Sequence, residues 1–253
     1  MSAKSTYADH FSSGASGYAT YRPQYPRALF RWLAELCEHH RRAWDCGTGN
    51  GQAAVGLARQ FDVVIATDPS QAQIAQRMHD AGVHYAVMTA ESSAMSSRSV
   101  DLVTVAQALH WFNLPRFYDE VRRTLVPGGV VCAWTYGLLG IGPGIDAHIA
   151  RFYKEEVGPY WPPERVLVDR GYADIDFPFE ELAVPPFEMV AEWTLAQLSG
   201  YLETWSAVAR YRREVGHSPV PVVIESIAEQ WGAPGRIRQV RWPLEIRAGR
   251  SRS

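Results

Sequence analysis

The sequence predicts an α/β fold on a doubly wound, mostly parallel sheet, and three observations carry that prediction. Between residues 27 and 136, apolar runs of strand length alternate with stretches of helical period. The strand-like runs are short and apolar throughout, as expected where helices cover both faces of a sheet. The first of them ends in a glycine cluster, GTGNG, the kind of tight turn that opens onto a helix and a ligand at a sheet's switch point.

Each element has its own signal. After Pro26, Leu29, Leu33, Leu36 and Cys37 recur at helical spacing, predicting a helix that ends near His40. Arg42 to Cys46 is the first strand, and a helix follows over roughly Gly51 to Gln60. FDVVIATD is a second strand ending in an acid, with Asp68 as cap and Pro69 as first residue of the next helix, whose buried face is Ile74 and Met78. VHYAVMT and VDLVTVAQ are the third and fourth strands. A helix after Pro115 carries Phe117, Val121 and Leu125 on one side, Pro127-Gly128-Gly129 makes a turn, and VVCAWTY is the fifth strand. Residues 137–180, rich in Gly, Pro and aromatics, break the rhythm and read as an insertion over the sheet's edge, with one helical stretch around Ile145 to Val157. Strand-like pieces surround Pro185-Pro186. Thr194 to Gln197 fits a capping box that opens one long helix to Val215, stopped by Gly216. Another helix runs from about Pro221 to Trp231. In the closing QVRWPLEIR, Val240, Trp242, Leu244 and Ile246 share one strand face and Arg241, Glu245 and Arg247 the other. Pro243 within that strand predicts a bulge.

Composition narrows the function. The chain has 253 residues, 47% hydrophobic and 21% charged, with a net charge of −2. That excludes a disordered chain, a collagen or a coiled-coil rod, and gives no general electrostatic reason to bind nucleic acid or an anionic membrane. The C-terminal RIRQVRWPLEIRAGRSRS carries six arginines and one acid, and reads as a solvated strand face rather than a phosphate-binding arm. Cys37, Cys46 and Cys132 are too few and too scattered for a disulfide framework or a zinc site, so no metal is expected. There is no apolar leader, and the uncharged stretch from Val126 to Ile145 is broken by Pro127 and Pro143. The expectation is a cytoplasmic protein whose partner is a small molecule, with neither nucleic acid nor membrane; the oligomeric state is not readable.

The glycine run is where the chemistry concentrates. Its spacing is G-x-G-x-G, with Gln52 where the dinucleotide fingerprint needs Gly or Ala, and no Gly-Lys-Ser/Thr follows to cradle a phosphate. Asp68 ends the second strand, 19 residues after Gly49, where a carboxylate can accept hydrogen bonds from a ribose diol. Together they suit a nucleoside that needs no pyrophosphate cradle. The bland alternatives are a ligand-free turn for the glycines and a helix cap for Asp68.

On these residues the chain resembles the class I S-adenosylmethionine-dependent methyltransferases, and within them it is similar to the small-molecule group that includes the trans-aconitate methyltransferases. The resemblance covers residues 10–136 through DCGTGNG, ATDPS, TAESSAMSSRSVDLV, AQALHWF and TLVPGGVV, with YATYRPQYP at the start and LETWSAV near the end. It departs at Ala94-Met95, where the family has a proline. It implies a Rossmann-like, seven-stranded sheet with a cap inserted after the fifth strand. Residues 1–26 would be a lid segment, 27–136 the cofactor-binding core, 137–180 the substrate cap and 181–253 the rest of the core. S-adenosylmethionine would then lie over Gly47, Gly49 and Gly51 with Thr48, Asp45 would fix its amino group through a local network, and Asp68 with Pro69 would hold the ribose. Ala90 and Glu91 would border the adenine, and Tyr21 and Arg22, with Tyr18, would fold down as a lid. Gln107 would sit near the transferred methyl, with His110 as candidate base. Trp111, Trp134, Tyr136, Tyr160 and Trp161 would line an aromatic acceptor pocket. Methyl transfer from a sulfonium is an in-line displacement that needs alignment and exclusion of water more than a catalytic dyad. The competing readings are a nicotinamide-dependent oxidoreductase, which lacks its Tyr-x-x-x-Lys pair here, and a non-catalytic nucleoside-binding protein.

Overall fold

The computed structural model describes residues 21–251. Tyr18 and most of the expected lid segment lie outside them. The sheet has eight strands: β1 (Arg42–Cys46), β2 (Val63–Asp68), β3 (Val83–Val87), β4 (Val100–Ala106), β5 (Leu125–Thr135), β6 (Glu180–Glu181), β7 (Phe187–Trp193) and β8 (Arg238–Arg250). They run in the order β3-β2-β1-β4-β5-β8-β6, with β7 paired to β8. The first five are parallel to one another, and β8 is antiparallel to β5. The one strand beyond the expected seven comes from the length of β8. Its second half lies beside β5, Glu245 opposite Thr135, while its first half runs past the end of β5 and pairs with β7.

The register across Pro243 is regular, Glu188 opposite Pro243 and Met189 opposite Trp242, so the expected bulge is absent. Arg241 exchanges both backbone hydrogen bonds with Gly140, on the side away from β7. Residue 243 aims its backbone nitrogen the same way as 241, so the missing N–H costs the β7 ladder nothing.

Side chains alternate between the two faces. Ala43, Leu102, Val130, Cys132 and Trp134 face one core, and Trp44, Val103, Val131 and Ala133 the other. The first core is covered by α1 (Arg27–Glu35) and α2 (Gln52–Leu57), and further along by α5 (Pro143–Arg151), α7 (Leu195–Glu203), α8 (Ser206–Val215) and α9 (Val220–Trp231). The second is covered by α4 (Leu114–Thr124), whose Phe117 and Val121 are fully buried, and by residues 172–179 beyond the short α6 (Arg165–Asp169). The segment 137–180 therefore reaches both faces: Ile145 and Ile149 pack in one core, Tyr172 and Phe177 in the other.

Several boundaries move for local reasons. Helix α1 stops at Glu35 rather than near His40, because the His40 ring and the Cys37 N–H take the Ala34 carbonyl. The expected helix 51–60 is regular only to Leu57. Asp68 does not cap the next helix: α3 (Gln71–Ala75) is capped by the Ser70 hydroxyl, which accepts from the Gln73 N–H. Met78, beyond its end, is 39% exposed instead of buried. Strand β5 begins at Leu125 and carries the expected Pro-Gly-Gly turn within it as a register shift against β4. The capping box at Thr194 and Gln197 is present, but its helix is two, broken at Thr204-Trp205, before Gly216 caps α8.

Candidate active site

The carboxyl ends of β1, β2, β4 and β5 meet where the strand order reverses, which is where open α/β sheets leave a crevice. A cavity of about 940 Å³ opens there. Gly47 and Gly49 follow β1 with φ of 69° and 56°, left-handed values that favour glycine. The loop is pinned beneath by main chain: the Gly47 and Thr48 N–H groups both donate to the Thr67 carbonyl, at 2.8 and 2.9 Å. A Cβ on Gly47 would meet the Ala108 methyl at 2.7 Å, whereas one on Gly49 would meet only Gln73 Oε1 at 3.8 Å, so bare backbone faces the cavity at Gly49.

Asp68 closes this end. Its Oδ2 accepts the Gly49 N–H at 2.9 Å and its Oδ1 the Ser70 N–H at 2.8 Å. Asp45 sits below the loop rather than on the cavity wall. It is fully buried and accepts the hydroxyls of Thr48 (2.5 Å) and Thr104 (2.8 Å). Burial pushes its carboxyl up to about 6, against the pull of those hydrogen bonds. Gly51 is covered by Tyr85, whose hydroxyl would lie 2.0 Å from an added Cβ, so the third glycine packs against a side chain and not on the cavity. Ala90 and Glu91 also stay off the wall: Ala90 is buried, and Glu91 accepts the Asn113 N–H at 2.9 Å. The other implied cofactor residues, Tyr21, Arg22, Thr48, Pro69 and Gln107, line the cavity.

The opposite wall is made of side chains. Gln107 follows β4 with a left-handed φ of 57°, and its amide is clamped to the end of β5: Oε1 accepts the Tyr136 N–H and Nε2 donates to the Tyr136 carbonyl, both at 3.1 Å. The Thr135 hydroxyl donates to the same Oε1. His110 lines the cavity with Nδ1 2.9 Å from the Tyr172 hydroxyl and its ring 4.7 Å from that of Trp111. Burial, and then the charge of Arg165, lower its pKa to about 3, so the imidazole is neutral near pH 7. Trp111, Tyr136 and Trp161 line the cavity. Trp134 does not: it is fully buried against Tyr25, ring centroids 5.4 Å apart, because its place on β5 points it into the first core. Tyr160 packs at a tilt against Tyr211 instead, ring centroids 5.0 Å apart.

Sequence reasoning missed Arg165, Tyr201, Trp205 and Gln52. Arg165 lies over the Trp161 ring at 4.6 Å and donates through Nε to Tyr153 Oη (2.6 Å) and Asp169 Oδ1 (3.1 Å). Trp205 belongs to the LETWSAV stretch, which marked a likeness but no role. Gln52, the residue that broke the dinucleotide pattern, holds the Pro23 carbonyl through Nε2 at 2.7 Å and so ties the segment carrying Tyr21 and Arg22 to α2. Among the described residues no cluster of three or more His, Cys, Asp or Glu side chains could hold a metal ion. No helix among them is long and apolar enough to cross a membrane.

Comparison with known proteins agrees with this arrangement. The methyltransferase domain family matches residues 44–133. A Dictyostelium discoideum protein named as a methyltransferase is 36% identical over 227 residues, covering 88% of this chain and 86% of that one. A Saccharomyces cerevisiae protein named as an S-adenosylmethionine-dependent methyltransferase is 30% identical over 128 residues, 47% of this chain and 44% of that one. A solved structure from Anaeromyxobacter dehalogenans, described as a type II methyltransferase, superposes with a TM-score of 0.87 at 46% identity, covering 92% of this chain and 99% of that one. Fold, switch-point cavity and relatives agree: this chain belongs to the class I S-adenosylmethionine-dependent methyltransferase family.

Proposed function

We propose that the cavity binds S-adenosylmethionine and that the protein transfers its methyl group to a small molecule held on the opposite wall. One observation carries the reading: a bare glycine loop with a carboxylate at one end shares a single cavity of about 940 Å³ with an aromatic, side-chain-built wall at the other. The fit favours a nucleoside with an amino-acid tail over a dinucleotide. Backbone is open at Gly49, Asp68 stands at the end of β2, and Gln52 takes the place of the small residue that the dinucleotide pattern needs.

When bound, S-adenosylmethionine supplies an activated sulfonium methyl. The chain's own residues do the rest. The Gly47–Gly49 main chain leaves room for the amino-acid tail. Asp68 accepts from the ribose hydroxyls on oxygens that already order the loop through Gly49 and Ser70. Asp45 acts from below, holding Thr48 and Thr104 and thereby the shape of the loop. Gln107, clamped by Tyr136, fixes the wall beside the reacting centre. Tyr21 and Arg22, held through Gln52, form the described part of a lid, and Trp111, Trp161 and Trp205 exclude water.

Isothermal titration of the protein with S-adenosylmethionine, S-adenosylhomocysteine and NAD tests this. The expected outcome is binding of the first two and no heat from NAD. Binding of NAD with none of the sulfur nucleosides would overturn the proposal.

A further inference from the structure

Arg165 stands on α6, which packs against the short helix Leu109–Trp111, so it belongs to the His110 side of the cavity. Its side chain is only 18% exposed, deep for an arginine. Three neighbours hold it there. The guanidinium lies over the Trp161 ring at 4.6 Å and the Tyr153 ring at 5.2 Å. Nε donates to Tyr153 Oη at 2.6 Å and to Asp169 Oδ1 at 3.1 Å. That side of the guanidinium is occupied. The far end is not: Nη1 and Nη2 make no hydrogen bond among the described residues. Neither is among the sealed polar atoms, so both reach open space, on a residue that lines the cavity.

A guanidinium fixed at Nε and free at its two Nη groups matches a pair of anionic oxygens, and its fork is set before a ligand arrives. The charge of the cavity points the same way. Among the described residues, five arginines line it against two acids, Asp68 and Glu203. Glu203 is paired with Arg212, and Asp68 holds Gly49 and Ser70 on the glycine wall. Asp169 is not in the lining; it is 41% exposed and meets Arg165 at Nε. S-adenosylmethionine adds a further net positive charge when bound. Such a field attracts an anion and repels a cation.

We propose that Arg165 selects the methyl acceptor: its free Nη edge receives an anionic oxygen group of that molecule, a carboxylate or a phosphate. The Trp161 ring backs the guanidinium and shields the pair from water, where a charge-assisted hydrogen bond is stronger. Oxygens gripped in this way have their charge engaged and are poor nucleophiles. The gripped group is therefore an anchor that orients the acceptor, and the methyl goes to a different atom.

The inference rests on the methyltransferase reading, and the test separates the two. Titration calorimetry of the full chain first shows whether S-adenosylhomocysteine binds; no binding removes that reading, whereas failure of any later step removes the role of Arg165 alone. On the S-adenosylhomocysteine complex, benzoate and phenyl phosphate are titrated beside benzamide, which has the shape of benzoate without its charge. One of the anions should bind, and the tighter of them names the group; benzamide should be roughly tenfold weaker or worse. Arg165→Lys keeps the charge and loses the fork, so it should weaken the anion by about tenfold and leave S-adenosylhomocysteine unchanged. Asp169→Asn keeps an oxygen for Nε and removes a competing charge, so it should tighten the anion, which a merely structural Arg165 would not do. With S-adenosylmethionine in place of the coproduct, benzoate should yield no methyl benzoate by mass spectrometry. Benzamide binding as well as the anions, neither anion binding, an anion no tighter in Asp169→Asn, or methyl benzoate among the products overturns the proposal. So does a folded Arg165→Lys protein whose anion affinity is intact, or one that loses S-adenosylhomocysteine as well, which would give Arg165 to the cofactor. Should Arg165→Lys fail to fold, the benzamide comparison and Asp169→Asn decide.

Discussion

The two walls of the cavity are built in different ways. The glycine wall is main chain: Gly47 to Gly49 and the end of β2, held by N–H groups on the Thr67 carbonyl and on Asp68. Its parts lie within 22 residues of sequence, from Gly47 to Asp68. The opposite wall is side chain, collected from residues as far apart as Tyr21, His110, Arg165 and Arg212. On the main-chain wall an added Cβ would be strained by the left-handed backbone at both glycines, and at Gly47 it would also clash. A side-chain wall can change its residues without changing the fold, so on the proposed function acceptor selectivity would belong there.

If that contrast holds, the largest effect comes from one methyl on the main-chain wall. Gly47→Ala puts a Cβ 2.7 Å from the Ala108 methyl in a left-handed conformation. Strain and overpacking together should destabilise the fold by about 2–4 kcal/mol. Urea unfolding reads the stability, and calorimetry should show S-adenosylmethionine binding lost. Retained binding would mean the loop is not the seat. Next comes Asp68→Ala, which should weaken S-adenosylmethionine by about 1–3 kcal/mol, the range for a hydrogen bond to a charged group. Asp68→Asn keeps one acceptor oxygen and should fall between.

The same contrast explains what was legible in the sequence. The alternation of strands and helices, the two-sided burial and the glycine turn were readable because each depends on neighbours a few residues away. Val240, Trp242 and Leu244 do face the core together, and Thr194 does form its capping box. Where the reading failed, a distant partner decided. Trp134 and Trp161 are the same residue type, yet a place on β5 buries one, while the other follows a turn after α5 and stays on the cavity. Gly51 read as a third cofactor contact until Tyr85, from β3, covered it. Tyr172 carried no signal, since the His110 ring it meets lies 62 residues away in sequence.

Asp45, beneath the glycine wall, and His110, on the opposite one, should also respond oppositely to acid. Asp45 is held up to about 6 in the folded protein, above the ordinary carboxylate value of 3.8. Between those values the folded state holds the extra proton, so this group's contribution to stability falls as pH rises. His110 is held down to about 3, below its ordinary 6.5. Between those values the unfolded state holds the extra proton, so its contribution rises with pH and is lost on acidification. From about pH 4 to 6 the two slopes oppose, each by at most about 1.4 kcal/mol per pH unit. Urea midpoints across that window should show Asp45→Asn more acid-sensitive than wild type and His110→Gln less so. Parallel shifts in both variants would mean that one of these groups is not buried in the form described.

The smallest effect tests whether Tyr21 belongs to the side-chain wall or merely packs near it. Gly200 lies inside α7, where Ala is favoured over Gly by up to about 1 kcal/mol. A Cβ there would meet the Tyr21 ring at 2.7 Å, and the ring would have to swing off the helix. The two consequences have opposite signs. Helix propensity raises the melting temperature, while loss of the Tyr21 seat loosens the segment that Gln52 holds through Pro23. Gly200→Ala should therefore leave stability unchanged or slightly higher while S-adenosylhomocysteine dissociates a few-fold faster in stopped-flow displacement, a change of under about 1.4 kcal/mol. A dissociation rate equal to wild type would make Tyr21 ordinary packing and move the lid's function to other residues of the cavity mouth. A rate that rises together with a clear loss of stability would mean that the ring is a core residue of α7 and that the wall and its scaffold are one unit there.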